Sequence, residues 1–204
     1  MGFYERRVLP RLLDFAMSNR ELRPYRDRVV GAASGEIVEI GVGSGLNFPL
    51  YDPARARRIA ALDPSRPLLA MALRRREEAP VPVELVEASA EALPFASGRF
   101  DTAVVTWALC TIGDPVRALA ELRRVLKPGG RLLFVEHGRA PDPGVARWQA
   151  RLTPLWRRCA GGCHLDRPVE ELVRGAGFRL ETLATGYMNA LKPFTFMYEG
   201  AALN

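Results

Sequence analysis

The segment Glu36–Asn47 limits the folds open to this chain more than any other. Ile37, Val38 and Ile40 form a short apolar, β-branched run, as a buried central strand requires. Gly41, Gly43 and Gly45 follow at once. Glycines at alternate positions let the backbone turn sharply and let a ligand lie against it with no Cβ in the way. Leu46 to Leu50 then reads as a first helical turn, cut short near Pro49. Strand, glycine turn and helix start make a nucleotide-type site at the C-terminal edge of a parallel sheet, and hence an α/β fold. A dinucleotide site wants glycine where Leu46 stands, and Glu39 would repel a pyrophosphate while attracting a cationic ligand.

Periodicity organises the rest. Residues 3–17 read as an amphipathic helix, with Tyr4, Val8, Leu12, Phe15 and Ala16 on one face and Arg6, Arg7 and Arg11 elsewhere. Such a helix packs over a site or sheet, or lies on a membrane surface with Phe3 and Tyr4 at its tip. A second helix is expected over 22–33. Residues 58–62 form the next strand, and Asp63 ends it, where a carboxylate can accept hydrogen bonds from ribose hydroxyls. A basic helix over 65–76 and strands over 81–86 and 100–106 follow. Asp114 and Pro115 start a helix as N-cap and first residue, with Val116, Leu119, Leu122, Val125 and Leu126 as its apolar face. The Lys127–Gly130 turn ends it, before a strand over 131–136. A helix bearing Trp148 and Trp156, a helix over 169–175, a strand opening at Gly177 and a final strand from about Pro193 to Gly200 complete the chain.

Taken in order, these features resemble the class I S-adenosylmethionine-dependent methyltransferases. The E-x-G-x-G-x-G spacing at Glu39–Gly45 resembles their first motif. The Leu93-Pro94-Phe95 ending, the Phe100-Asp101 pair before an apolar run, and the helix leading to Lys127-Pro128-Gly129-Gly130 are similar to the motifs that follow. The resemblance implies a Rossmann-like, seven-stranded, mostly parallel sheet with an antiparallel last strand and helices on both faces. It implies a single domain over 1–204, divided into an N-terminal helical lid (1–33), a cofactor-binding core (34–137) and a substrate-side insert with a C-terminal hairpin (138–204). It also implies S-adenosylmethionine as cofactor. The contacts would come from Glu39, Gly41, Gly43, Gly45 and Asn47, from Asp63 and Pro64, and from Ser89, Ala90 and Glu91 at the adenine. Thr106 and Trp107 would sit beside the sulfonium, since an aromatic face attracts cations.

Past the fifth strand the chain is similar to the alkyl thiol S-methyltransferases, through Glu136-His137, the Trp-bearing helix, Gly162–Leu165 and the Gly177-Phe178 strand. Quinone C-methyltransferases and phospholipid N-methyltransferases are similar over the core. The implied acceptor is small and lipophilic, with a thiol favoured over a phosphatidylethanolamine or a quinone. An adenosylmethionine-binding scaffold without turnover is the non-enzymatic alternative. His137 is the first candidate for general base or acceptor positioning, with a locally bonded histidine as the alternative reading. Tyr4 is the candidate to close over the donor, and His164 reads as structural. Met188, Phe194, Phe196, Met197 and Tyr198, with Trp148 and Trp156, point to a greasy pocket or to core.

Composition narrows the class. No run of about 18 apolar residues exists, so no membrane span is expected, and the N-terminus lacks an apolar signal core. A cytoplasmic protein is expected, at the membrane surface if residues 3–17 touch lipid. The net charge of +6 is nearly all arginine, and no basic run is interleaved with aromatics, so nucleic acid is not an expected partner. The 3 cysteines, an odd number, imply free thiols. Cys110 reads as a small buried residue. Cys159, Cys163 and His164 supply three ligand atoms, but zinc usually wants a fourth and a tighter pair spacing, so no metal is expected.

Overall fold

The β-branched run after the glycine at 35 forms β1 (Gly35–Ile40), in which Ile37, Val38 and Ile40 are at most 1% exposed. It pairs in parallel with β2 (Ala56–Asp63) on one side and with β4 (Phe100–Thr106) on the other. The outer neighbours are β3 (Val83–Glu87) beside β2 and β5 (Leu126–His137) beside β4, both parallel. The hairpin of β6 (Arg179–Tyr187) and β7 (Phe196–Leu203) then closes the far side, with β7 antiparallel to both β5 and β6. The order is β3-β2-β1-β4-β5-β7-β6, a seven-stranded sheet whose last strand in sequence is the antiparallel one. The computed structural model describes residues 2–204, so Met1 of the expected 1–33 lid lies outside it.

Period-two alternation sends successive side chains of β1 to opposite faces. Val38 and Ile40 pack with Phe100, Val105, Phe134 and with α4 (Pro115–Val125) and α6 (Val169–Gly175). Ile37 packs on the other face with Val104, Val135 and with α2 (Arg23–Gly31) and α3 (Arg66–Arg75). Each such fully buried side chain contributes roughly 1.5–3 kcal/mol. Both faces are covered, so all the loops at the C-terminal ends of β1, β2, β4 and β5 gather along one edge. That edge is roofed by α1 (Leu9–Met17) and α5 (Pro143–Cys159).

Five expectations need correction. The helix over 3–17 opens as a π-helical turn, Tyr4–Val8, before α1, and its expected inner face points out: Leu12 is 50% and Phe15 81% exposed. The sequence carries a second apolar stripe, Leu9, Leu13 and Met17, and this one turns inward. Asp14 decides between them, because it sits on that side and binds Ser44 and Arg75. In α4 the N-cap Asp114 accepts the Arg117 N–H as expected, but Val116 is exposed, and Pro115 and Ala118 are buried beside Leu119, Leu122 and Val125. Residues 127–130 do not end before β5 but lie within it as an irregularity, with Gly129 at φ +74°. Leu46 does not start a helix; only Phe48–Leu50 makes a short 3-10 turn. The last strand starts at Phe196, since Lys192–Phe194 forms another such turn.

Candidate functional site

The glycine turn and Asp63 form one unit. Asp63, buried at the end of β2, accepts the Gly43 N–H at 2.9 Å and the Ser65 N–H at 2.8 Å. Burial still raises its pKa above the ordinary aspartate value. Gly41, at φ +64°, leaves no room for a side chain, because a Cβ there would lie 2.4 Å from that of Ala108. Gly43, at φ +56°, has nothing within 4 Å of the same position, so its α-carbon is bare toward the open space. Gly45, at φ +83°, is filled by the Phe48 ring instead, 2.6 Å from a would-be Cβ. It serves packing.

Glu39 is fully buried and does not meet the open space. Its two oxygens accept the Asn47 amide at 2.8 Å and the Tyr51 hydroxyl at 2.7 Å. Burial nevertheless pushes its carboxyl up to about 7, against the pull of those bonds and of Arg26. The expectation that Glu39 itself faces a cationic ligand is corrected: it orients Asn47, whose amide also reaches Thr106 Oγ1 at 2.9 Å and whose Oδ1 has no partner. Trp107 has φ +49°, the one non-glycine with positive φ among the described residues. One face of its ring carries the Arg26 guanidinium, 4.7 Å from the centroid, and Tyr25 meets it edge-on.

Beyond Thr106 the turn after β4 is held by Glu136, also buried, which accepts the Ala108 N–H at 2.6 Å and the Leu109 N–H at 2.8 Å. This presents Cys110 to the neighbouring strand end. His137, the next residue, places Nε2 3.0 Å from Cys163 Sγ, and the Trp156 indole N–H donates to the same sulfur at 3.3 Å. Cys110 and His137 hold the Cys163 thiol well below the ordinary thiol range despite its burial. Burial pushes His137 down, but Cys163 and Glu136 more than offset it, so its pKa is raised. The Cys159–Cys163–His164 grouping, weighed from sequence and set aside, is not formed. Cys159 is exposed with its sulfur on the Leu155 and Trp156 carbonyls, and His164 Nδ1 faces the Cys110 carbonyl and Arg167.

A cavity of about 340 Å³ joins these parts along the sheet edge. Its wall includes Gly41, Gly43, Asn47 and Asp63, then Thr106 and Trp107, then Cys110, His137 and Cys163. From α1 come Leu13, Asp14 and Met17, and from the C-terminal half Trp156, Met188, Phe194 and Met197. Trp148, 55% exposed, is not on the wall, and neither are Phe196 and Tyr198. Pro64, Ser89, Ala90 and Glu91 are also off it: Pro64 and Ser89 are exposed, and Glu91 accepts the Asp114 N–H at 2.8 Å, bracing the start of α4. The Tyr4 hydroxyl donates to the Cys159 carbonyl at 2.7 Å, tying the N-terminal turn to the end of α5 rather than reaching the cavity. Arg26, Cys110 and Glu136 were not singled out as site residues by sequence reasoning. Arg26 lies in an arginine-rich chain with no motif around it, whereas Glu136 entered only as part of the Glu136-His137 pair that carries the family resemblance.

The wall suits a zwitterionic nucleoside. Arg26 is a buried cation whose Nε lacks a partner, fit for a carboxylate. Asn47 Oδ1 is a free acceptor for an ammonium, and Asp63 retains lone pairs for ribose hydroxyls. Comparison with known proteins agrees. A family model described as a methyltransferase domain matches residues 38–134. Thiol S-methyltransferase TMT1B of Homo sapiens is 33% identical over 152 residues, 72% of this chain and 62% of that protein. The chain thus spans less than two thirds of that relative. Phosphatidylethanolamine N-methyltransferase of Cereibacter sphaeroides is 31% identical over 193 residues, 91% of each chain. The crystal structure of an S-adenosylmethionine-dependent methyltransferase from Mesorhizobium loti superposes with a TM-score of 0.70 at 20% identity, covering 92% of this chain and 100% of that one, which shows a shared fold.

Proposed function

The chain belongs to the S-adenosylmethionine-dependent methyltransferase family, and from that premise we propose that it transfers a methyl group to the sulfur of a small lipophilic thiol. One observation carries this reading: a single cavity runs from Asp63 and the glycine turn to the His137–Cys163 pair, with Trp156, Phe194 and Met188 on its wall. Bound S-adenosylmethionine supplies an already activated methyl on a sulfonium. The protein then has chiefly to align donor and acceptor and to exclude water. Asp63 holds the ribose, Asn47 and Arg26 hold the amino-acid end, and α1 covers the site through Asp14, which accepts the Ser44 hydroxyl at 2.5 Å and pairs with Arg75 at 2.7 Å. The acceptor lies at His137. A thiol keeps a nucleophilic lone pair on sulfur and needs only to ionise, whereas an ammonium has no lone pair until it loses a proton and a quinol must react at carbon. Sequence similarity to the human thiol S-methyltransferase supports the choice of sulfur.

A second reading, methylation of phosphatidylethanolamine at a membrane surface, draws on a different observation. Phe3, Val8, Leu12 and Phe15 form an exposed apolar stripe on the N-terminal helix, with Arg7 and Arg11 exposed beside it. Such a helix suits the interface of an anionic bilayer. No helix among the described residues is long and apolar enough to cross one. The two readings separate in a methyl-transfer assay with labelled S-adenosylmethionine, run on alkyl thiols, quinols and phosphatidylethanolamine, with and without liposomes. Turnover on alkyl thiols without liposomes is the expected result. Turnover confined to phosphatidylethanolamine in liposomes would replace sulfur with the lipid amine, and adenosylhomocysteine binding without turnover on any of them would leave a scaffold.

A further inference from the structure

Three segments far apart in sequence converge at the acceptor part of the cavity: the turn after β4, the end of β5 and the loop after α5. They bring Cys110, His137 and Cys163 together with their ligand atoms all within 4.8 Å of one another. We propose that this trio holds a zinc ion whose fourth position opens on the cavity and takes the sulfur of the acceptor. The inference rests on the thiol reading above for its acceptor, and on geometry alone for its metal.

The donor set is two sulfurs and one imidazole nitrogen. That combination selects zinc among the common divalent ions and excludes magnesium and calcium, which want oxygen. Zinc prefers four ligands in a tetrahedron, and catalytic sites keep one of the four positions for substrate. Here three are supplied by protein, and all three residues line the cavity, from which a fourth ligand would enter. The ligands are also fixed. The His164 N–H donates to the Cys110 carbonyl at 2.8 Å, which joins the two cysteine-bearing loops. Glu136 pins the Cys110 turn through two backbone N–H groups, and Trp156 donates to Cys163. Cys110 and Cys163 are 3% and 8% exposed, so water competes little for the site. Gly162, at φ +89°, lets the backbone reverse just before Cys163.

The chemistry balances without any oxidant or reductant. An acceptor R–SH binds through sulfur at the fourth position and releases its proton to solvent. Its sulfur lone pair forms the new S–CH3 bond as the bond between that carbon and the sulfonium breaks, the electron pair passing to the departing adenosylhomocysteine sulfur. The neutral thioether R–S–CH3 is a weaker ligand than a thiolate and leaves the metal.

The test uses the full chain, reduced and stripped of metal with a chelator, then titrated with cobalt(II). One equivalent should give thiolate-to-cobalt charge-transfer absorption, and zinc should abolish it by displacement. Cys110→Ser and Cys163→Ser should each weaken zinc binding at least ~10-fold, consistent with the loss of one of three ligands, and their double variant should lose the absorption. Cys159→Ser should behave as the wild type. Adenosylhomocysteine binding, measured by calorimetry on each variant, checks folding without reference to the acceptor. Absence of the charge-transfer band in the reduced wild type, its persistence in the double variant, or its loss in Cys159→Ser would each overturn the site. If thiols are methylated equally by stripped and zinc-loaded protein, the metal's part in acceptor binding fails while the thiol reading stands. If the band appears as expected but only a quinol or lipid amine is methylated, the metal site stands and the thiol reading fails.

Discussion

The guanidinium carbon of Arg26 lies 4.7 Å from the centroid of the Trp107 ring, on the wall of the cavity. Arg26 is 5% exposed, its Nε has no partner, and burial lowers its pKa to about 10 although the charge of Glu39 opposes the shift. A buried cation with an unused donor is costly unless an anion completes it. The carboxylate of the cofactor's amino-acid end is such an anion. Arg26→Leu should weaken adenosylhomocysteine binding about 10- to 100-fold, the loss of a charged hydrogen bond of roughly 1.5–3 kcal/mol. Methylthioadenosine, which lacks the carboxylate, should bind both proteins alike in the same calorimetric titration. Equal adenosylhomocysteine affinity in the two would remove Arg26 from the site.

Asp63 is the candidate for the other half of the cofactor. Its carboxylate already takes two backbone N–H groups, from Gly43 and Ser65, and so stands fixed at the end of β2. Asp63→Ala should weaken adenosylhomocysteine and methylthioadenosine by similar factors, about 10-fold or more. A role limited to bracing the turn would weaken a 2′-deoxy analogue just as much. A ribose contact predicts a smaller loss for that analogue, and fluorescence or calorimetric titration distinguishes the two.

The glycines should part company under substitution. Gly41→Ala puts a methyl 2.4 Å from the Ala108 Cβ at φ +64°. Overpacking costs roughly 1–3 kcal/mol and the left-handed backbone about 1–2 kcal/mol more, so the melting temperature should fall by about 4–20 °C at ~2–4 °C per kcal/mol. Gly43→Ala meets no atom and carries only the backbone cost, yet its methyl enters the space left for ligand. It should melt within about 8 °C of the wild type and bind adenosylhomocysteine much more weakly. Thermal melts with and without ligand test both. A Gly43→Ala protein with unaltered affinity would mean that no ligand lies against this turn.

Much of this was legible in sequence because local rules and burial agreed. The run Ile37–Ile40 fits a central strand and Asp114-Pro115 a helix start, and both elements form there. α6 has the bounds read from its pattern, Val169–Gly175. What failed was whatever tertiary contacts decide. Two apolar stripes run along residues 4–17, and nothing local says that Asp14 will meet Ser44 and Arg75 and turn Leu9 and Leu13 inward. Glu39 was read as facing a ligand because its motif precedes the turn, but strand alternation points it at Tyr51 and Asn47. Spacing between Cys159, Cys163 and His164 argued against a local metal cluster, and it gives no hint of one elsewhere. The actual partners of Cys163 come from two other strand ends, and no one-dimensional pattern links them.

Glu39 gives the fold a definite pH signature. Burial raises its carboxyl from 4.5 to about 7 in the folded protein, more than its bonds to Tyr51 and Asn47 lower it. The folded state therefore holds a proton that the unfolded chain has released between those two values. Stability falls with pH wherever the native state binds more protons, so the contribution is complete below about pH 4.5 and is lost as pH rises through about 7. Glu39→Gln keeps a neutral amide in place at every pH and removes this dependence. Glu136, also raised to about 7, is present in both proteins and cancels in the difference. Melting curves taken from about pH 5 to about pH 8 should show the wild type losing ground to Glu39→Gln as pH rises. Parallel melting temperatures across that range would mean that Glu39 is ionised in the fold from acid pH onward, held by Arg26 more strongly than burial opposes it.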